Sequence, residues 1–326
     1  MIPYLSLIHR RIRCSSSIFC PKERVWQLPI IHCGSKVASF SSSTNGENNP
    51  EITERVSIKI DESTGICRVK LNRPGKLNAF DLAMFEAIAE TAHILKKDRS
   101  IRAVILSGKG RAFSTGLDVK SVLKGGDPMK MIEQLLERRP RPSLNYPTNL
   151  AQDVSMLWRE LNVPVIAVLQ GMCFGAGLQV ALGADFRYST PDCQISIMEG
   201  KWGLIPDMGA SIFLRELVRI DVAKELTMTG KIISGTEAGN LGLVSAVCEH
   251  PMKDADLFAK QLVKRSPDAI AAGKQLFQST WTVASDEESL LLETNLQRKL
   301  LVSWNQLAAS GRSAVGWELP YIKRKP

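Results

Sequence analysis

Two glycine-rich stretches and a pair of acids carry the residue types that could do chemistry. Residues 171–179 read G-M-C-F-G-A-G-L-Q, after the apolar run Val163 to Leu169 and before the apolar Val180 to Leu182. A buried strand that empties through a glycine turn into a helix leaves main-chain N–H groups unpaired beyond the turn, where they can receive a developing negative charge. The same glycines could instead serve only close helix packing, and this stretch alone does not decide between the two. A second stretch, residues 107–118, reads S-G-K-G-R-A-F-S-T-G-L-D and follows the apolar strand Ile101 to Leu106. Farther on, residues 199–209 read E-G-K-W-G-L-I-P-D-M-G, a loop whose acids Glu199 and Asp207 stand eight residues apart. A carboxyl group in an apolar pocket can have its pKa raised toward the working pH and move protons. Asp207 could equally cap a helix over residues 209–215.

Other catalytic templates fail. Gly116 is not followed by the Lys and Ser or Thr of a P-loop, and after Gly108 and Gly110 the third position of a dinucleotide fingerprint is Phe113. The histidines are His9, His32, His93 and His250, so no Ser or Cys triad is visible. Outside the first 45 residues the cysteines are Cys67, Cys173, Cys193 and Cys248, with neither C-x-x-C pairing nor metal-ligand spacing. They read as reduced core thiols, and no metal is expected.

The elements that must position these residues alternate between strand and helix. Ser57 to Ile60 and Ile66 to Leu71 read as a hairpin across Asp61 to Gly65. Asn78, with Asp81 three residues on, marks a helix start, and Phe85, Ile88, Ala92 and Leu95 keep helical spacing to about Lys97. The region 123–154 is looser, with one short helix over Met129 to Arg138; Gln152 to Leu161 is helical. Short strands follow at Asp185 to Ser189 and Gln194 to Ile197, then helices over Ile212 to Val218 and Asp221 to Thr229. Thr236 caps another short helix before Leu243 to Val247. From Asp254 to Ser310 the chain is mostly helix.

Composition sets the class. The chain has 326 residues, 44% hydrophobic and 23% charged, as in an ordinary globular enzyme, and no apolar run approaches a membrane span. The net charge of +9 resembles a nucleic-acid signal until it is divided. The first 45 residues carry six Lys or Arg against the single acid Glu23, leaving +4 elsewhere. Arg- and Ser-rich, acid-poor composition, ending in A-S-F-S-S-S at residues 38–43, predicts an organelle transit peptide, mitochondrial rather than plastid. The mildly basic remainder argues against a nucleic-acid partner.

Five motifs in order then carry a family resemblance. They are L-N-R-P (71–74) with L-N-A (77–79); G-R-A-F-S-T-G-L-D (110–118); P-V-I-A (164–167) with Gly171, Gly175 and Gly177; Glu199; and G-L-I-P (203–206). Residues 226–244 stay in register. The chain resembles the crotonase superfamily of enoyl-CoA hydratases and isomerases, over roughly residues 56–274 and more loosely beyond. The fold this implies is α/β, a crotonase (ClpP-like) spiral of repeated ββα units with a helical C-terminal trimerisation region. Residues 1–45 would be the transit peptide, 46–255 the spiral core and 256–326 the helical region.

The resemblance also implies a chemistry. The substrate is an acyl-CoA thioester of fatty-acid metabolism, CoA being part of the substrate and no cofactor tightly bound. Its carbonyl accepts from the N–H groups of Leu117 and Ala176, and Glu199 is the general acid/base. Arg73, Arg111 and the segment Leu117, Asp118, Val119, Lys120 match the CoA-contacting positions. Asp207 stands where the dienoyl-CoA isomerase branch has an aspartate. Gln179 replaces the second acid of the hydratases, and a neutral amide cannot take a proton, which favours isomerisation over two-glutamate hydration. Hydration by one acid/base, or a non-catalytic interaction protein on the same fold, are the alternatives. Leu123, Met131, Ile132 and Leu135 are the acyl-pocket candidates, and a homotrimer or hexamer is the implied assembly.

Overall fold

The computed structural model describes residues 55–119, 128–141, 146–282 and 284–325. Its frame is a six-stranded sheet. Strands β1 (Val56–Asp61) and β2 (Ile66–Leu71) form the antiparallel hairpin, and β3 (Ala103–Gly108), β4 (Val165–Leu169), β6 (Phe186–Ser189) and β8 (Ala246–Val247) follow in parallel, in the order β1-β2-β3-β4-β6-β8. A parallel strand covered on both faces reads as an unbroken apolar run, and β3 and β4 are buried along their whole length. Alternation sends Val104, Leu106, Val165, Ala167 and Leu169 into the main core. It sends Ala103, Ile105, Ile166 and Val168 to the opposite face, against Ala255 and Ala259.

The main core is closed by α1 (Leu82–Lys97) and α3 (Leu150–Arg159), with Phe85, Ile88, Leu157 and Trp158 buried between them and the sheet. Between these helices lies α2 (Pro128–Leu136). The chain after α2 is fastened to α3 by buried Arg141, which donates to Glu160 at 2.7 and 2.8 Å and pairs with Asp153. The Thr148 hydroxyl donates to the same Asp153 carboxylate at 2.6 Å.

After β3, β4 and β6 the chain turns out of the sheet into a second layer. Strands β5 (Met172–Phe174) and β7 (Gln194–Ser196) pair in parallel there, Ser114 pairs with Cys173 on one side, and Ile195 pairs with Ile233 on the other. Each repeat thus contributes one sheet strand and one piece of second layer, as the expected ββα spiral requires. Helices α4 (Ala176–Leu182), α5 (Ala210–Leu217), α6 (Ile220–Thr229), α7 (Gly235–Asn240), α8 (Pro251–Val263), α9 (Pro267–Thr280), α10 (Asp286–Leu301) and α11 (Trp304–Val315) complete the described chain. Among the described residues no helix is long and apolar enough to cross a membrane.

Several local expectations are revised. The boundary at residue 255 cuts α8, a continuous helix packed on the sheet, so the core runs through Val263. Lys274 on α9 is also tied to it, its buried ammonium donating to Val163 O at 2.9 Å and Asp185 Oδ2 at 2.7 Å. Ser234, not Thr236, caps α7 by accepting from Glu237 N. Asn149 caps α3 in a full capping box, starting the helix two residues before Gln152. Only Ala246–Val247 of the apolar run 243–247 pairs as a strand.

The most consequential revision concerns Asn78. Asp81 caps α1, accepting from Met84 N at 3.0 Å and pairing with Arg55 at 2.8 Å. Asn78 lies upstream in the left-handed region (φ 54°), fully buried, with its amide nitrogen donating to Lys109 O, Ala112 O and Phe113 O at 3.0–3.1 Å. Its side-chain oxygen accepts from Arg73 N at 2.8 Å. One side chain therefore closes the 107–118 turn from inside. Asn78→Ala leaves the buried Ala112 and Phe113 carbonyls unpaired, each costing on the order of 1–3 kcal/mol. The expected result is a loss of about 3 kcal/mol in urea unfolding, with a lowered midpoint and little change in m.

Candidate active site

The first glycine turn ends in a parallel bridge between Phe80 and Leu117. Phe80 N–H donates to Gly116 O at 2.7 Å and Asp118 N–H donates to Phe80 O at 2.9 Å. Those two bonds hold the main chain on either side of Leu117 and leave the Leu117 N–H without a protein acceptor among the described residues. Ser114 braces the turn from behind, its hydroxyl donating to Asn78 O at 2.8 Å and accepting from Gly116 N at 3.1 Å.

The second turn begins where Gly175 N–H donates to Ser196 O at 3.0 Å. Ala176 is the first residue of α4, so its N–H has no intrahelical partner, and no other acceptor among the described residues takes it. The two turns touch. Gly116 has φ 83°, and a Cβ there would stand 2.8 Å from Phe174 O and 3.4 Å from Ala176 N. A side chain at 116 is excluded both by conformation and by the second turn, so the glycine is what lets two unpaired N–H groups share one wall.

The acids are carried by the next repeat. After β7 the chain makes a 3₁₀ turn, Met198–Trp202, with Glu199 in its first turn. The carboxylate reaches back to the second glycine turn, where a Cβ on Gly175 would meet Glu199 Oε1 at 3.3 Å. Gln179, one helical turn after Gly175 and 1% exposed, donates through Nε2 to Glu199 Oε1 at 2.7 Å. Glu199 Oε2 is buried and has no hydrogen-bond partner among the described residues. Burial pushes the Glu199 carboxyl above its usual range and nearby Asp207 adds to this, while the Gln179 hydrogen bond pulls the other way. Asp207 keeps much of its surface exposed at the rim, yet the cavity walls desolvate its carboxyl enough to raise it as well. It caps nothing: Gly209 is the N-cap of α5, with no side-chain bond.

These groups open into one cavity of about 770 Å³. Phe85, Leu117, Leu135, Trp202, Leu204 and Met208 make its walls mostly apolar, with Glu199, Asp207 and Lys201 as its charged lining. Of the acyl-pocket candidates, Ile132 and Leu135 line it, Met131 does not, and Leu123 lies outside the described residues. The arrangement can hold a carbonyl oxygen between two main-chain donors and carry a proton to or from a carbon beside Glu199 Oε2.

The expected CoA contacts divide. Lys120 lies outside the described residues and Arg111 is exposed. Val119 lines the cavity. Arg73 does not face outward: it pairs with Asp118 at 2.8 Å, lies 3.4 Å from Asp81, and donates to Ala79 O. Arg73 and Asp118 thus brace the Leu117 turn. Sequence reasoning took Asn78 for a helix start and missed both its hold on the turn and the Met208 N–H that donates to Gln179 Oε1 at 2.9 Å, because hydrogen bonds between distant segments leave no local pattern.

The sequence profile described as Enoyl-CoA hydratase/isomerase matches residues 61–306. The chain belongs to this family of acyl-CoA enzymes. Among family relatives, the Carnitinyl-CoA dehydratase of Salmonella typhi is 30% identical over 234 residues, covering 71% of this chain and 84% of the relative. The crystal structure of enoyl-CoA hydratase from Mycobacterium smegmatis matches with a TM-score of 0.68 at 26% identity, over 80% of this chain and 95% of that one. The enoyl-CoA hydratase of Bacillus anthracis, at 24% identity, shares the fold with a TM-score of 0.72 over 81% and 98%. The crotonase fold expected from the motifs is the fold of this protein.

The raised Glu199 carboxyl has a consequence for stability. Its folded-state pKa lies above the ordinary value of 4.5, so the proton favours the folded state. That contribution is fully present below the unfolded-state value and is lost as pH rises through the folded-state value. Glu199→Gln stays neutral and escapes the loss. It is expected to unfold at higher urea than wild type at about pH 8, the gap closing toward about pH 4.

Proposed function

We propose that the protein isomerises the double bond of an enoyl-CoA thioester, with Glu199 as the single proton carrier. The thioester oxygen accepts from the N–H groups of Leu117 and Ala176. Glu199 Oε2 removes a proton from the carbon next to the double bond, and the electron pair delocalises onto the thioester oxygen as a dienolate. The carboxyl group then returns the proton to the other end of the allylic system, restoring the carbonyl. Donors fixed in place before charge develops need no reorganisation in the transition state, which is why main-chain groups suit this task.

The observation that carries the reading is Glu199 Oε2, buried and unpartnered beside two unpaired N–H groups. The amide at position 179 adds to it by removing the second titratable group that water activation by a carboxylate pair would use. A second reading, addition or removal of water with Glu199 alone, is favoured by the dehydratase relative. Asp207, on the same cavity, gives a longer dienoyl substrate a second carboxylate within the site.

Purified protein with trans-3-hexenoyl-CoA is expected to raise the absorbance of the conjugated thioester, and with trans-2-hexenoyl-CoA to show little loss of it. Rapid bleaching of the conjugated substrate selects the hydration reading. Glu199→Gln is expected to lower kcat about a thousandfold. Equal activity in that variant overturns both readings, and RNA binding without acyl-CoA binding would mark an interaction protein instead.

The oxyanion assignment has its own test at Ala176. As the first residue of α4 it occupies the position where proline is best tolerated. Ala176→Pro deletes the N–H with small cost to the helix, and kcat is expected to fall by about a hundred- to a thousandfold with retained folding.

We also read residues 1–45 as a mitochondrial transit peptide and the C-terminal helices as a trimer- or hexamer-forming region. Leu290, Leu291 and Leu301 are exposed on α10 and Trp304 and Leu307 on α11, apolar surface that supports assembly. Sedimentation of the purified chain is expected to give three or six copies.

A further inference from the structure

Gln179 has a geometry that its replacement of an acid does not require. It is 1% exposed, and both ends of its amide are engaged by groups of opposite character. Its Oε1 accepts from the Met208 main-chain N–H at 2.9 Å, and its Nε2 donates to Glu199 Oε1 at 2.7 Å. A main-chain N–H can only donate, so the oxygen must face Met208 and the nitrogen must face Glu199. The orientation is dictated by the protein.

We infer that Gln179 is a positioning residue for Glu199: locked by the Met208 N–H, its amide holds Glu199 Oε1 and thereby turns Oε2 to the substrate. The inference rests on the reading of Glu199 as proton carrier and extends it to a residue that touches no reacting atom. The clamp joins two repeats, since Gln179 follows the second glycine turn on α4, while Glu199 and Met208 flank the loop 200–207. It also keeps Glu199 an acceptor, because a donor NH2 at Oε1 opposes protonation there. In the two-acid arrangement the residue at this position would hold a proton of its own. Here it holds none and supplies a fixed donor.

A carboxylate at 179 cannot satisfy both partners. One of its oxygens can accept from Met208 N–H, but the other then faces Glu199 Oε1 at hydrogen-bond distance, and the two oxygens must share a proton. An alkyl side chain leaves Met208 N–H and Glu199 Oε1 both unpaired. Asp207 and Lys201 are the other charged groups lining the cavity with Glu199. Helix α6, packed behind the 3₁₀ turn, meets Gly200 with the carbonyls of Thr227 and Met228, and Asp207 is the charge that acts on Glu199.

The test uses the full chain and Gln179→Glu, Gln179→Leu and Glu199→Gln, with thermal melts to establish folding. The Glu199 carboxyl is titrated by ¹³C NMR in [¹³C]glutamate-labelled protein, its signal assigned by subtraction of Glu199→Gln, so the readout needs no turnover. The Glu199 titration is expected to move to higher pH in Gln179→Leu, and by about one pH unit or more in Gln179→Glu. With trans-3-hexenoyl-CoA, Gln179→Leu is expected to lose about tenfold or more in kcat with KM within about twofold. In Gln179→Glu the acid limb of the kcat/KM profile is expected to follow the titration upward. An unmoved Glu199 titration in both folded variants overturns the inference, as does wild-type kcat in Gln179→Leu. Those results leave the Glu199 reading standing if Glu199→Gln is inactive. Full activity in Glu199→Gln removes that reading instead, whatever the Gln179 variants do.

Discussion

The site depends on one pairing, that of Ser114 with Cys173. Ser114 N–H donates to Met172 O at 3.0 Å and Phe174 N–H donates to Ser114 O at 2.9 Å. These bonds set the first glycine turn beside the second in parallel register, which brings Gly116 against Ala176. Parallel pairing fixes which residues on neighbouring segments face each other, and a slip of one residue would turn both free N–H groups elsewhere. The pairing is itself buttressed by Asn78, whose amide closes the first turn, and by β7, which pairs with β5 on the other side.

A site built this way gathers polar groups in a largely dry place. The unpaired N–H groups, the buried carboxyl oxygen of Glu199 and the inward Gln179 amide are each costly in isolation, because polar groups out of water need partners. The surrounding sheet tolerates that cost, with β3 and β4 buried on both faces and their neighbours packed against α1, α3 and α8. A substrate oxygen between the two donors would supply the missing acceptor. Burial also pushes the Glu199 carboxyl above its usual range, which suits the proton carrier proposed for this position.

Charged residues near the site serve the scaffold more than their positions in sequence imply. Arg73 braces Asp118 and Asp81, and Arg141 fastens the chain after α2 to α3, the helix behind the apolar cavity. Each is a paired, largely buried cation whose loss would leave a carboxylate uncompensated, so each contributes to the shape of the cavity through its neighbours. Arg111, by contrast, is exposed.

The sequence by itself determined the strands, most helices and the two glycine turns, because apolar runs, helical spacing and glycines act over a few neighbouring residues. It also marked Glu199 and the amide at 179, since their types alone bear on proton transfer. Only the tertiary structure decided that Asn78 is a clasp rather than a cap, that Arg73 pairs with Asp118, and that α8 belongs to the core. Only it decided that Gln179 lies between Met208 N–H and Glu199. Those facts rest on contacts between residues tens of positions apart, whose partners are chosen by sheet register and packing, and no short window of sequence contains them.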